Sequence, residues 1–470
     1  MSTFGVIVTT RAFFPGYLAL DAREIVLRRL ENMGHKVIWV GENDTRYGAI
    51  ENADDARKCA ELFKAHRDEI DGILVILPNF GDEVAVSSAL DMAKLDVPVL
   101  VVASDDEKSK MDLAHRRDSF CGKLSLTANL YQYGIKFTNT HTHTLTLDSD
   151  DFDREIDFFD RVCRVVNGLR GARIGAVGAR PAPFQTVRYS EKLLQRSGIS
   201  VSVIDMSDML ARAGAISDDD PAVLERVEFI RNYGNLKNDE VTSKKLLLNA
   251  KLYVALSGWL KENRCDAFAF QCWDSLEYNY GCAACLSMSM LGEEGIPGAC
   301  EMDVTGAVSM LAMKLATGIP SGYLDWNNGF LEDRDMCVCL HCSNFPNSFL
   351  GDKPEIGSLD VLGTTIDREL CFGANKGRIK PGPFTFLKVS TDDIQGRIRY
   401  YVGEGEFTDD KEIFTPGGFA TCRVPNLQKL MDYLVKNGFE HHVCMGRTNV
   451  AEVLSEALGN YLGWDGYRHS

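Results

Sequence analysis

Apolar runs and amphipathic stretches alternate at a regular period through the first hundred residues. Val6-Ile7-Val8, Val37-Ile38-Trp39-Val40, Gly72-Ile73-Leu74-Val75-Ile76 and Val97-Pro98-Val99-Leu100-Val101-Val102 read as strands, with helical patterns at 22–31, 53–66 and 83–93 between them. Strands that are continuously apolar, with helices between them, predict a parallel sheet covered on both faces. An acidic helical stretch follows at 148–167, and a second unit of the same kind opens at Gly171-Ala172-Arg173-Ile174-Gly175-Ala176-Val177-Gly178. Its further strands are expected at Val201-Ser202-Val203-Ile204 and Ala267-Phe268-Ala269-Phe270. These glycines do not spell G-x-G-x-x-G and no suitably placed acid follows, which argues against a dinucleotide site.

Past about residue 353 the pattern changes. Phe384 to Val389, Gly396 to Val402 and Phe419 to Val424 are β-rich pieces bounded by Gly, Pro and Asp, as in an antiparallel barrel or sandwich. Helical stretches at 427–437 and 450–462 flank Glu440-His441-His442-Val443. The expected plan is α/β: doubly wound parallel-sheet domains at 1–170 and 171–352, then a β-barrel-like domain with helices at 353–470.

Candidate chemistry sits near the end of the second segment, in Cys300-Glu301-Met302-Asp303-Val304-Thr305-Gly306. Val308, Met310, Leu311, Met313 and Leu315 predict a buried helix stopped by Gly318-Ile319-Pro320, and Tyr323-Leu324 a short strand ending at Asp325. Glu301 therefore enters a helix and Asp325 leaves the strand after it, positions that share one crevice in an open α/β sheet. Two carboxylates and a late imidazole can bind a hard divalent metal. Each has a plainer reading: Glu301 as a partner of the helix dipole, Asp303 as the helix N-cap, Asp325 as a turn cap.

These islands resemble the L-fucose/L-arabinose isomerases, metal-dependent enzymes that interconvert open-chain aldoses and ketoses. The resemblance rests on Glu301-x-Asp303, on Asp325 24 residues after Glu301, and on Glu440-His441-His442. Ala269-Phe270-Gln271-Cys272-Trp273 and Gly403-Glu404-Gly405-Glu406 also look like family segments. An Asp as second carboxylate points to the fucose branch. The resemblance implies Glu301 and Asp325 as catalytic residues and, with His442 rather than His441, as metal ligands. It implies Gln271, Arg11 and His341 as substrate-contacting residues, with His341 near an extra metal-site histidine of arabinose-type enzymes. Trp273 or Trp326 would pack against the carbon chain, ordinary core packing being the alternative. A cis-enediol mechanism calls for a Lewis acid, and one imidazole among oxygens suits Mn²⁺, with Mg²⁺ or Co²⁺ possible. The family position of Arg11 implies a homo-oligomer, a trimer or hexamer, with the site near a subunit interface.

Composition narrows the picture further. At 470 residues the chain exceeds one core, and 45% hydrophobic with 25% charged residues is ordinary globular composition. A net charge of −16 argues against nucleic acid. With neither a secretion-like start nor an 18-residue apolar run, a soluble cytoplasmic protein without membrane contact is expected. The 14 cysteines then read as reduced, mostly buried thiols, although Cys282/Cys285 and Cys339/Cys342 have zinc-like spacing. The sugar is left open: L-fucose or D-arabinose in type, or a hexose with an anionic C6 group such as sulfoquinovose, with Arg11, Arg116, Arg117 or Lys388 as the cation. A non-catalytic sugar-binding protein is the alternative of another class.

Overall fold

Alternation along the first strands sorts their side chains onto two covered faces. In the computed structural model, which describes residues 1–11, 13–238 and 241–470, a five-stranded parallel sheet has the order β2-β1-β3-β4-β5. Its strands are β1 (Thr3–Val8), β2 (Lys36–Ile38), β3 (Gly72–Leu77), β4 (Val99–Ala103) and β5 (Thr138–Asn139). Ile73, Val75 and Leu77 join one apolar cluster, Leu74 and Ile76 the other. The helices on either side start where polar caps stop the strands: Asn52 accepts the N–H groups of Asp54 and Asp55, and Asp82 that of Ala85. His141 and His143 lie beyond β5, and His141 Nδ1 meets the Glu155 carboxylate at 3.0 Å. This sheet belongs to a compact unit of Met1–Asn167 with Glu456–Gly463.

The other unit, Gly168–Ser455 with Trp464–Ser470, holds two sheets. One is parallel, in the order β10-β9-β6-β7: β6 (Arg173–Val177), β7 (Ser200–Ile204), β9 (Ala267–Phe270) and β10 (Gly298–Ala299). The short β8 (Asn235–Leu236) leaves this sheet and pairs elsewhere. The second sheet has ten strands: β8, β11 (Gly322–Gly329), β12 (Met336–His341), β13 (Glu355–Ser358), β14 (Phe372–Arg378), β15 (Gly382–Asp392), β16 (Arg397–Phe407), β17 (Gly418–Arg423), β18 (His442–Gly446) and β19 (Asp465–Arg468).

This large sheet departs only in part from the expected antiparallel barrel. It is mixed, because β8–β13, β14–β17 and β16–β19 run parallel. The return pairing of β16 with β17, Glu406 with Arg423 and Phe407 with Cys422, joins β16-β15-β18-β11-β12-β17 into a ring of antiparallel pairs, with β19, β14, β13 and β8 outside it. Its core gathers Leu324, Phe345, Phe349, Phe384, Phe386, Tyr401 and Phe407.

The helix Val304–Thr317 is buried along most of its length and ends on Gly318, whose φ of 75° lets the chain turn without a Cβ penalty. The strand after it is longer than its apolar residues suggest. β11 continues through Asp325 to Gly329 because β12 and β18 pair on either side of it. Asp325 is thus an interior position of a central strand. The cysteines are unbonded and mostly buried, and among the described residues no helix is long and apolar enough to cross a membrane.

Candidate active site

The approach to Glu301 is a backbone hook. Glu301 and Met302 follow β10 with φ of 61° and 64°, consecutive left-handed residues that are not glycine. Such conformations cost of order ~1–3 kcal/mol each and persist only where the surroundings hold them. Here Met302 N–H donates to Phe270 O at 3.1 Å, and Asp303 N–H donates to Cys300 O at 3.0 Å. The Asp303 carboxylate caps the helix through Gly306 N–H at 2.7 Å. The hook turns the Glu301 carboxylate toward the large sheet, whose β18 presents His442.

Pairing of β11 with β18 places Asp325 directly opposite His442. Cross-strand partners of this kind hold their Cβ atoms close on one face. His442 Nε2 lies 2.9 Å from Glu301 Oε2 and 3.5 Å from Asp325 Oδ1. His341, at the end of β12, has its ring centroid 5.8 Å from that of His442. Four polar atoms converge here without a well-aligned hydrogen-bond partner: Glu301 Oε2, Asp325 Oδ1, His341 Nδ1 and His442 Nε2. Buried groups of this kind are normally satisfied. Ligand atoms of Glu301, His341 and His442 lie within 4.8 Å of one another, as do those of Asp325, His441 and His442. Carboxylate oxygens with imidazole nitrogens suit a first-row divalent cation, so the residues present fit a metal centre.

Behind His442 stands a buried polar layer. Asp303, completely buried, accepts His442 Nδ1–H at 3.0 Å, Lys388 Nζ at 2.5 Å and the Tyr323 hydroxyl on one oxygen. Thr305 Oγ1 at 2.9 Å and the Gly306 N–H occupy the other. Burial pushes the Asp303 carboxyl up, but the Lys388 charge and the His442 hydrogen bond outweigh it and hold the group far below the usual carboxylate range. With Nδ1–H committed to Asp303, the Nε2 lone pair of a neutral His442 faces the four-atom cluster, the tautomer that metal-ligating histidines take. Asp303 therefore acts as cap and as positioning residue at once.

His442 and His441 differ sharply. His442 is fully buried, whereas the His441 side chain is 42% exposed, with Nε2 3.7 Å from Asp325 Oδ1. Burial lowers His441, and the neighbouring His442 lowers it further. Burial acts on His442 in the same direction, but its bonds to Asp303 and Glu301 prevail and raise it from 6.5 to about 9. A cation at Nε2 has to displace that proton, so Mn²⁺ affinity is expected to fall about tenfold per unit as the pH drops from about 9 toward 6.5. Titrations across that range check it, and a flat affinity would take the ligand role from His442. In the metal-free protein, the stabilisation from protonated His442 is complete below 6.5 and lost as pH rises through about 9.

Residues 5–170 match the N-terminal domain of fucose/sulfoquinovose isomerases, and residues 339–469 match the C-terminal domain of L-fucose isomerase. The chain belongs to the fucose isomerase-like family of aldose–ketose isomerases. It is 24% identical over 392 residues to a sulfoquinovose isomerase from Alkalicoccus urumqiensis, covering 82% of this chain and 83% of that relative. A sulfoquinovose isomerase from Priestia aryabhattai is 26% identical over 304 residues, 64% of this chain and 65% of its own length. A solved solute-binding protein of an ABC transporter from Rhodopseudomonas palustris BisB5 aligns at 11% identity over 73% of this chain and 68% of its own, with a TM-score of only 0.18.

The other residues singled out in this isomerase are placed differently from one another. Trp273 Nε1–H donates to Glu301 Oε1 at 3.2 Å, which puts it against the cluster. Gln271 Oε1 accepts the Ala179 N–H at 2.8 Å, at the start of the segment after β6. Trp326 packs into the core of the large sheet, with its Nε1–H on the Tyr401 hydroxyl at 3.0 Å and its ring against Phe386. Arg11 is in the N-terminal unit, paired with Glu83 and stacked over Phe80. Lys388, considered as a cation for an anionic sugar, is instead fully buried on Asp303.

Sequence reasoning missed Phe184. It lies between β6 and β7, its ring 5.4 Å from Trp273 and 6.0 and 6.3 Å from His441 and His442. The segment around it borders a cavity of about 790 Å³, whose wall also includes Met302 and Glu440. That cavity adjoins the cluster, since Met302 follows Glu301 and Glu440 precedes His441. Elsewhere, Cys337, Cys339 and Cys422 form a buried group of thiols in the large-sheet core.

Proposed function

We propose that this isomerase acts on an open-chain aldose through a cis-enediol, with a divalent cation held by Glu301, Asp325, His442 and His341. The observation that carries this reading is the convergence of four buried donor atoms without well-aligned partners. Sugar binding alone does not require such a set. When bound, the cation supplies Lewis-acid stabilisation of the oxyanion that develops as the carbonyl migrates. Mn²⁺ is the proposed ion, with Mg²⁺ and Co²⁺ as alternatives.

The chain's own groups handle the proton. Burial raises the Glu301 carboxyl, but His442, His341 and the Trp273 N–H prevail and keep it below its ordinary value. It is ionised at neutral pH and competent as a base. Asp325, across the strand pair from His442, is the second carboxylate of the exchange between C1 and C2. His442, fixed by Asp303, keeps both carboxylates in register with the imidazole.

For the substrate we favour a hexose carrying an anionic group at C6, the class named by the sulfoquinovose isomerase relatives. A neutral sugar of the L-fucose or D-arabinose type is the second reading, favoured by the match to the L-fucose isomerase C-terminal domain. Metal-stripped protein should be inactive and should regain turnover with Mn²⁺. Assays of sulfoquinovose, L-fucose and D-arabinose rank the sugars, and full activity after chelation would overturn the metal centre. In D₂O the ketose should carry deuterium at C1, or the recovered aldose at C2. Absence of solvent label at several pH values would indicate a direct hydride shift and remove the proton-handling role from Glu301 and Asp325.

A further inference from the structure

We propose that Arg180 and Arg188 form the recognition site for the anionic C6 group, a specificity device on the segment that borders the catalytic cavity. This rests on the reading of the substrate as a C6-anionic aldose. The two arginines flank Phe184 four residues to either side, and Phe184 is the residue of this segment that reaches Trp273 and both histidines of the cluster. Arg180 and Arg188 both line the cavity that Met302 and Glu440 also line. Ser190 N–H donates to Thr391 Oγ1 at 2.9 Å and fastens the end of the segment to β15.

What marks these guanidinium groups is how they are held. Arg180 donates to the carbonyls of Pro181 at 3.0 Å and Ala182 at 2.9 Å, and Arg188 Nε–H donates to the Gln185 carbonyl at 3.0 Å. Backbone carbonyls orient a guanidinium without cancelling its charge. Among the described residues neither pairs with a carboxylate, whereas Arg397 meets Asp392 and Asp465, and Arg423 meets Asp333. In a chain with 67 acidic and 51 basic residues, carboxylate partners are in excess. Two guanidinium groups without a carboxylate partner in one cavity wall, Arg180 half-buried and Arg188 exposed, are therefore open to an anion from outside.

The acids in that wall do not supply it. Asp392 accepts the N–H groups of Ile394 and Gln395 and faces Arg397, Glu440 accepts from Ser390 Oγ, and Asp393 sits on an exposed turn. The third arginine of the cavity, Arg399, likewise donates to backbone carbonyls, those of Asn437 and Gly438, is stacked over Phe439 and adds to the positive charge of the wall. A planar guanidinium presents parallel N–H donors that match an oxyanion. A sulfonate, with a fixed negative charge and three acceptor oxygens, fits two such forks, and a phosphate ester shares that chemistry. The reacting carbons C1 and C2 would then lie toward Glu301 and the charged end toward Arg180 and Arg188.

The test uses the full chain loaded with Mn²⁺ and three aldoses alike in their ring carbons: sulfoquinovose, glucose 6-phosphate and 6-deoxyglucose. Arg180→Gln and Arg188→Gln should each lower kcat/KM for the preferred anionic sugar about 10- to 100-fold, chiefly through KM, the loss expected for one charge-assisted contact. Mn²⁺ affinity and any turnover of 6-deoxyglucose should stay within about twofold of the parent. Arg→Lys at either position should recover part of the loss, because charge is kept and the fork is not. The sulfonate and phosphate arms show which oxyanion the site prefers. If the parent turns over an anionic sugar and the Gln variants match it, or if they lose Mn²⁺ affinity and neutral-sugar turnover equally, the assignment of these arginines fails while the substrate reading stands. If the parent isomerises only neutral sugars, the substrate reading and this assignment fall together.

Discussion

Glu301→Gln and Asp325→Asn are each expected to lower turnover by about 10²- to 10⁴-fold, the range a positioned acid–base group contributes. Each change keeps the shape of the side chain and removes its charge. Glu301 is the more demanding position, because its carboxylate meets His442 Nε2 and the Trp273 N–H from a backbone hook that, among the described residues, no other pair of consecutive non-glycine residues duplicates. Initial rates with Mn²⁺ in excess, alongside measured metal occupancy, separate loss of the cation from loss of proton handling. Near-normal turnover by either variant would show that the reacting carbons are elsewhere.

The second large effect is on stability. Asp303→Asn removes the counter-charge of Lys388, whose side chain is fully buried, and weakens the support of His442. Breaking a buried pair from one side costs about 3–5 kcal/mol, since the remaining charge stays desolvated. Denaturant unfolding of the metal-free protein should show a loss of that size. Adding Lys388→Met to Asp303→Asn should restore part of the stability but not Mn²⁺ affinity, because His442 still lacks its anionic acceptor. A single variant as stable as the parent would mean that Asp303 and Lys388 do not depend on each other.

Where burial is continuous and pairing local in character, the sequence was readable. Gly72 to Leu77 announces a central parallel strand because all six positions are covered. Gly318 announces the end of its helix because only a left-handed turn follows. The spacing from Glu301 to Asp325 carried the family resemblance, since it is the length of one buried helix and its return. The mixed character of the large sheet was not readable: parallel pairs such as β14–β17 depend on chain routing, whereas turn residues report only local reversals. Nor could the extent of β11 be read, since β12 and β18 impose it from outside.

The same reason hid the polar layer. Lys388 sits in Phe384-Thr385-Phe386-Leu387-Lys388-Val389, where a strand lysine ordinarily faces water. Its counterion is 85 residues away, and only the fold brings Asp303 to it. Phe184 was hidden in a different way, in a Pro- and Ala-containing segment with no periodicity, so nothing local distinguishes its ring from any loop aromatic.

The Lys388–Asp303 pair would also set which ion the proposed centre tolerates. Because those two charges cancel, such a centre would be left with the negative charges of Glu301 and Asp325. A dication brings that sum to zero. A monovalent ion would leave the buried pocket anionic and a trivalent one would leave it cationic, each at a penalty that low polarizability magnifies. In the proposed centre, valence selection would thus rest on a lysine that is not among the ligands.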